Sequence, residues 1–336
     1  MEKIVGKLQE GADAMIRFEQ VTKKFPDGTE ALKDVSVVFP THKLTVVIGP
    51  SGCGKTTLMR MVNKLETPTA GDIFIDEESI TGLEEVKLRR SIGYVIQRIG
   101  LFPHMTIEDN VSLVPRLLEW DKEKTAARVE ELLKLVGLKP EVYKERYPLE
   151  LSGGQQQRVG VVRALAGNPN IILMDEPFSA LDPISREQLQ DDLRNLQQEI
   201  QKTIVFVTHD MDEALKIADM VVVMRDGKIE QTGSPQELIN EPANDFVRSF
   251  IGLDRINRQR TFGERKLKEF LSVFGMEPIG DALQVSLETT IDEAFSKLES
   301  SGYANLQIVD DGRVLAYASD RDLVKAALRK EEVENV

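Results

Sequence analysis

The run Gly49-Pro50-Ser51-Gly52-Cys53-Gly54-Lys55-Thr56 places glycines, a lysine and a hydroxyl at the spacing of a phosphate-binding loop. Glycines let successive backbone N–H groups turn inward around phosphate oxygens, and a helix start adds partial positive charge. Lys55 is then expected to reach the β and γ phosphates, and the Thr56 hydroxyl to ligate Mg²⁺. The expected nucleotide-binding set is Gly49, Ser51, Gly52, Cys53, Gly54, Lys55, Thr56 and Thr57. A plain glycine-rich turn is the simpler alternative, disfavoured by the Lys-Thr pair and by the strand and helix patterns on either side. Cys53 reads as a small filler that points out of the loop rather than as a reactive thiol.

A second carrier of chemistry is the apolar run Ile171 to Met174, which ends in Asp175 and Glu176. Neighbouring strand residues point opposite ways, so one carboxylate can serve a metal and the other a water molecule. Asp175 is the expected Mg²⁺ ligand and Glu176 the expected base. A solvated strand end is the plain alternative. Third, Leu151-Ser152-Gly153-Gly154-Gln155 opens a helical pattern that ends near Ala166 and offers N–H donors, a hydroxyl and a helix dipole to an anion. One nucleotide does not need two such cradles.

The elements that must position these groups follow from periodicity. Alternation at 15–21 and 31–39, and apolar runs at 44–48, 171–174, 203–208 and 220–224, predict strands; 55–65 and 183–200 predict helices. A charge-rich helical stretch covers 107–165, punctuated by Pro115, Pro140 and Pro148. Buried strands alternating with helices predict a mainly parallel sheet covered on both faces. Residues 1–14 read as a mobile leader, with Met15 an alternative start. From 254 to 269 six basic residues stand against three acidic ones, which suggests a linker over 253–284. Beyond it, helix 289–300, strands 304–309 and 313–318 around Asp310-Asp311-Gly312, and helix 320–328 predict a small second domain over 285–330.

Length and composition exclude several classes. The 336 residues suit two domains, and 41% hydrophobic with 29% charged residues speaks against disorder. No apolar run reaches the roughly 18 residues of a membrane span. One cysteine and no signal peptide make a reducing cytoplasm the expected compartment. A net charge of −13 argues against nucleic acid as a partner.

Over 15–252 the motifs, in this order, resemble the ATP-binding cassette (ABC) family of transporter ATPases. That resemblance implies an α/β fold of the P-loop NTPase type, a mixed sheet core plus a helical subdomain at about 98–165. It also implies ATP and Mg²⁺ as cofactors, and a head-to-tail homodimer in which Ser152, Gly153, Gly154 and Gln155 complete the partner's ATP site. By the same resemblance Phe25 stacks on adenine and Gln97 contacts Mg²⁺ and the water. Ser179-Ala180-Leu181-Asp182 connects the two sites, and His209 holds the γ-phosphate and Glu176. Lys55, Gln97, Glu176 and His209 are the implied catalytic set; Thr56, Gln97 and Asp175 the implied metal set. His42 and His104 have no such setting.

The stretch from Ile92 to Ile107, with Leu113-Val114-Pro115 and Thr203 to Ala214, is similar to ATPase subunits of importers for quaternary amines such as glycine betaine, carnitine and choline. This implies transmembrane permease subunits and a substrate-binding protein or domain as partners, and a place on the cytoplasmic face of the membrane. Residues 285–329 resemble a single CBS domain, an α+β unit in which Ser319 and Asp322 match a ribose- and phosphate-binding element. That implies a unit sensing an adenine-type ligand such as a cyclic dinucleotide, or ionic strength, and inhibiting transport; a dimerisation unit without ligand is the plainer reading. Rival functions are a soluble cassette ATPase acting on nucleic acid or ribosomes, an importer ATPase for another solute, and a nucleotide sensor with little turnover.

Overall fold

The computed structural model describes residues 14–96, 100–179, 181–252, 265–276, 280–301, 303–310, 313–319 and 322–323. Gln97, Ala180, residues 1–13, residues 253–264 and the expected helix beyond residue 323 lie outside them. The chain divides into two compact units, Met1–Ile251 and Gly252–Val336.

At the centre of the first unit is β3 (Leu44–Ile48), buried at every residue. Short β-branched runs, apolar on both faces, suit central strands of a parallel sheet. Two strands at the amino end, β1 (Ala14–Lys24) and β2 (Glu30–Pro40), precede β3, and β4 (Ala70–Ile75) and β5 (Glu78–Ser79) follow it. Then come β6 (Ile92–Val95), β7 (Ile171–Asp175), β8 (Thr203–Thr208), β9 (Met220–Arg225) and β10 (Lys228–Gly233). Six of these make one sheet in the order β10-β9-β3-β8-β7-β6. All its pairs are parallel except β9 with β10.

Register is what builds the site. Ile48 pairs with Thr208, and Asp175 with Val207. The strands therefore end level, and Gly49, Glu176 and His209 leave the same sheet edge. In open α/β sheets the carboxyl ends of the strands are where ligands bind.

A second, antiparallel sheet runs β2-β1-β4-β5. Its buried face, including Phe18 and Phe39 with ring centroids 5.9 Å apart, shares a core with the main sheet and with α1 (Lys55–Val62). The expected helix over 55–65 ends at Val62, where Lys64 turns to a positive φ of 52°. The strand β4 carries no clear alternation and is not legible in the sequence; antiparallel pairing with β1 creates it.

After the short α2 (Glu85–Ser91), the helical region contains α3 (Ile107–Leu117), α4 (Lys122–Leu135), α5 (Pro140–Tyr143) and α6 (Gly153–Leu165). Pro140 opens α5 and Pro148 a 3₁₀ turn, positions where a missing N–H costs nothing. Pro115 is no boundary: it lies inside α3 near its end. The long α7 spans Pro183–Ile200 as expected; α8 (Met211–Ile217), α9 (Pro235–Asn240) and α10 (Asp245–Ile251) complete the unit.

The second unit contains β11 (Ala282–Ser286), α11 (Ile291–Ser301), β12 (Asn305–Asp310) and β13 (Arg313–Ser319). Its sheet order is β11-β12-β13, parallel then antiparallel. The core takes in Leu267, Phe270 and Phe274 together with Leu306 and Ile308. The described part of the expected 253–284 linker is therefore core and strand rather than linker. Apolar residues three and four apart outweigh the flanking cations: Lys266 and Lys268 both pair with Glu288, at 2.5 and 2.7 Å. No helix among the described residues is long and apolar enough to cross a membrane.

Candidate functional site

The loop between β3 and α1 admits little but glycine at two points. A Cβ on Gly49 would stand 2.1 Å from Met224 O, and one on Gly54, at φ +105°, 2.4 Å from Ala31 O. Gly54 is also the N-cap of α1 and provides no capping side chain. Backbone donors of the first helical turn are thus not taken up by a side-chain cap. Lys55, buried, donates from Nζ to Gly49 O at 2.8 Å and Pro50 O at 3.0 Å, drawing the loop around its own ammonium. Cys53 is 3% exposed and packs out of the loop into the core. Burial pushes its thiol up, against the pull of Lys55, which fits a filler and not a nucleophile.

Thr56 Oγ1 donates to Asp175 Oδ1 at 3.2 Å. Burial pushes the Asp175 carboxyl up, while the Thr56 hydroxyl and the Arg60 guanidinium pull it down. Glu176 does not continue the strand. At φ 43° it turns left-handed, held by its N–H on Val207 O at 2.9 Å. The two carboxylates diverge because the chain turns there, not because strand residues alternate. Glu176 Oε1 lies 3.3 Å from His209 Nδ1, and His209 is largely exposed. Behind His209, Asp210 caps α8 by accepting from Asp212 N and Glu213 N.

Phe25 is half-buried on the turn between β1 and β2, with Lys23 Nζ 5.0 Å from its ring centre. That hairpin abuts the loop through Ala31, next to Gly54. A separate cluster forms at the start of α6. Ser152 caps it in a reciprocal box with Gln155, and Gln155 Nε2 donates to Tyr143 OH at 3.1 Å. The nearest neighbours of a Cβ on Gly153 or Gly154 would be Leu181 and Ser185, about the start of α7. Asp182 caps α7, and its bonds from Ser185 hold its carboxyl below the usual range. Lys55, Thr56, Asp175, Glu176 and His209 therefore gather at one sheet edge, while Ser152–Gln155 and Asp182 form a second surface. Thr57 is half-buried on α1 beside Thr56.

The family model "ABC transporter" matches residues 32–179. The carnitine transport ATP-binding protein OpuCA of Listeria monocytogenes serotype 1/2a is 49% identical over 301 residues, spanning 90% of this chain and 74% of that protein. This chain belongs to the ABC transporter ATP-binding family. The glycine betaine/carnitine/choline transport ATP-binding protein OpuCA of Bacillus subtilis is 47% identical over 336 residues, 96% of this chain and 88% of that protein. A dimeric post-hydrolysis structure of the ATP-binding cassette MJ0796 with ADP and Pi aligns at a TM-score of 0.59 and 36% identity, covering 66% of this chain and 99% of that one.

Within this ABC ATPase two groups near the site were not legible in the sequence. Arg60, on α1, lies near enough to Asp175 to pull its carboxyl down, and it hydrogen-bonds Tyr94 on β6. No motif spacing marks either residue; Tyr94 stands opposite Leu173, two residues before Asp175, on the strand next to β7. His42 and His104 are set apart as expected: His104 stacks edge-on with Phe102, and the His42 backbone binds Thr203 and Gln197. In the second unit Ser319 Oγ donates to Asp322 Oδ2 at 2.7 Å, and Asp322 N donates back to Ser319 Oγ at 3.2 Å.

Proposed function

We propose that this ABC ATPase hydrolyses ATP at the edge of its main sheet to power import of a quaternary amine such as glycine betaine, carnitine or choline. The observation that carries the hydrolytic reading is the split at the end of β7. Asp175 turns to the Thr56 hydroxyl and Glu176 to the His209 imidazole. Backbone N–H groups of the loop and the Lys55 ammonium hold the phosphates, Lys55 exchanging its own loop carbonyls for phosphate oxygens. Thr56 and Asp175 present hard oxygens 3.2 Å apart, a donor set that fits Mg²⁺, which supplies charge neutralisation of the phosphates. Gln97 belongs to the same set by its place in the motif order. Glu176 accepts a proton from the attacking water, and His209 keeps that carboxylate and the γ-phosphate in line.

Two copies form the working unit, with Ser152–Gln155 and Asp182 facing the partner's nucleotide. The exposure of Ser152, Gly153 and Asp182 supports this. The subunit works at the inner face of the membrane through a permease, with a substrate-binding protein delivering the cargo. Similarity to transport ATPases of OpuCA type supports the cargo class. In the second unit Ser319 and Asp322 are the proposed contacts for an adenine nucleotide.

The test is reconstitution of the chain with its permease and binding protein in vesicles. ATP-dependent uptake of labelled glycine betaine, carnitine or choline is expected. ATP hydrolysis without uptake of any of the three would overturn the cargo, and no hydrolysis at all would overturn the ATPase.

A further inference from the structure

A buried polar cluster joins two loops of the first unit. Thr208, Glu213 and Gln190 are 2%, 4% and 7% exposed. Thr208 Oγ1 donates to Glu213 Oε2 at 2.6 Å, and the Gln190 side chain on α7 hydrogen-bonds the same carboxyl group. Arg186, one turn before Gln190, reaches in three directions. Its Nη2 donates to Leu181 O at 3.3 Å; Nη1 stands 3.5 Å from Asp210 Oδ2, and Nε 3.9 Å from Glu213 Oε1. Thr208 and Asp210 flank His209, and Leu181 lies in the loop at 179–182. One guanidinium therefore bridges that loop and the turn that carries His209.

The bridge is not fully closed. The Arg186 Nε hydrogen is buried and has no hydrogen-bond partner. A buried donor left unpaired is costly, and Glu213 Oε1 stands 3.9 Å away, outside hydrogen-bond reach. A small shift of α7 against α8 would close that bond. Arginine suits the place because its planar fork binds several oxygens at once, which a lysine ammonium does not do in fixed geometry.

We propose that Arg186 and Glu213 are positioning residues that tie the loop at 179–182 to the His209 turn. A partner subunit pressing on the loop thereby resets the His209 imidazole against Glu176. The inference rests on the two-subunit ATPase reading above. The plainer alternative is a polar patch that only fixes α8 against α7.

Histidine NMR separates the two, because the full chain has only His42, His104 and His209. Glu213→Gln and Arg186→Gln are compared with the parent chain for histidine signals, ATP affinity and turnover. The expected result is a shifted His209 signal with His42 and His104 unmoved, ATP affinity within about twofold, and kcat lower by about tenfold. The double variant should be no slower than the slower single one. Arg186→Lys, which keeps the charge, covers the case in which the first variants do not fold; it should move His209 alone and lower kcat in between. An unmoved His209 signal, or kcat within twofold of the parent, overturns the inference while leaving the ATPase standing. A parent chain that does not hydrolyse ATP overturns the ATPase reading itself.

Discussion

Two helix starts in the first unit have nearly the same ingredients and opposite construction. At Gly54 the chain enters α1 through a left-handed glycine, without a capping side chain, with Ala31 against its back. At Ser152 the chain enters α6 through a hydroxyl that already caps it, in a reciprocal box with Gln155. The first start is stable only as part of a loop wrapped around Lys55, so an anion that takes over Lys55 and the free donors completes it. The second is complete as a helix and exposed as a surface. Glycine is demanded differently at each: at Gly54 it permits a backbone path, while at Gly153 a Cβ would meet nothing closer than Leu181 Cδ2 at 4.0 Å.

The largest effect is expected at the group that the first construction serves. Glu176→Gln keeps size and shape and removes the basic oxygen that faces His209. Turnover should fall about 100- to 1,000-fold with ATP binding retained. Single-turnover hydrolysis beside nucleotide binding checks this; near-parent turnover would remove Glu176 from its place.

The glycines sharpen the contrast directly. Gly54→Ala forces a Cβ to 2.4 Å from Ala31 O at a positive φ. It should destabilise by about 2–3 kcal/mol, lowering Tm by roughly 4–12 °C. Gly153→Ala meets nothing closer than Leu181 Cδ2 at 4.0 Å. Its Tm should stay with the parent while ATP-driven association and turnover fall by about tenfold. Equal loss of stability in both would erase the distinction between path and surface.

How legible each construction was depends on what fixes it. The phosphate loop was legible because its backbone demands glycine at fixed offsets from Lys55, and the runs at 44–48, 171–174 and 203–208 because strands buried on both faces must be apolar throughout. The boundary of α7 at Pro183 was written in Asp182-Pro183, a cap followed by the residue that suits a first helical turn. Strand alternation was the expected reason for Glu176 to point away from Asp175; its direction instead comes from a left-handed turn pinned to Val207. Tyr94, Arg186 and Glu213 were invisible because their partners come from other elements. Residues 265–276 were misread as linker because six cations masked the apolar spacing of Leu267, Phe270 and Phe274, whose burial depends on strands lying further along the chain.

A smaller effect is expected from the cap of α6. Ser152→Ala removes the acceptor for Gln155 N, and a lost cap costs about 1 kcal/mol. Tm should fall by about 2–4 °C, which differential scanning calorimetry resolves. No change would mean that the box with Gln155 is not what holds the helix start.

The smallest effect comes from Asp182, which starts α7 beside that same surface with a charge in place of a hydroxyl. Hydrogen bonds from Ser185 hold its carboxyl below the ordinary value of 3.8. A carboxyl depressed on folding adds stability above its unfolded value, and that stability is lost as the pH falls through the folded one. Asp182→Asn keeps an acceptor at the cap but titrates nothing. The parent should be slightly the more stable at pH 7, where the ionised cap also meets the positive end of α7, and salt should shrink the gap because the group is exposed. Below pH 3.8 the gap should close, since the protonated aspartic acid and asparagine are both neutral. A difference in Tm that is constant from pH 7 to pH 3 would mean that the charge plays no part, leaving Asp182 as a cap of the same kind as Ser152.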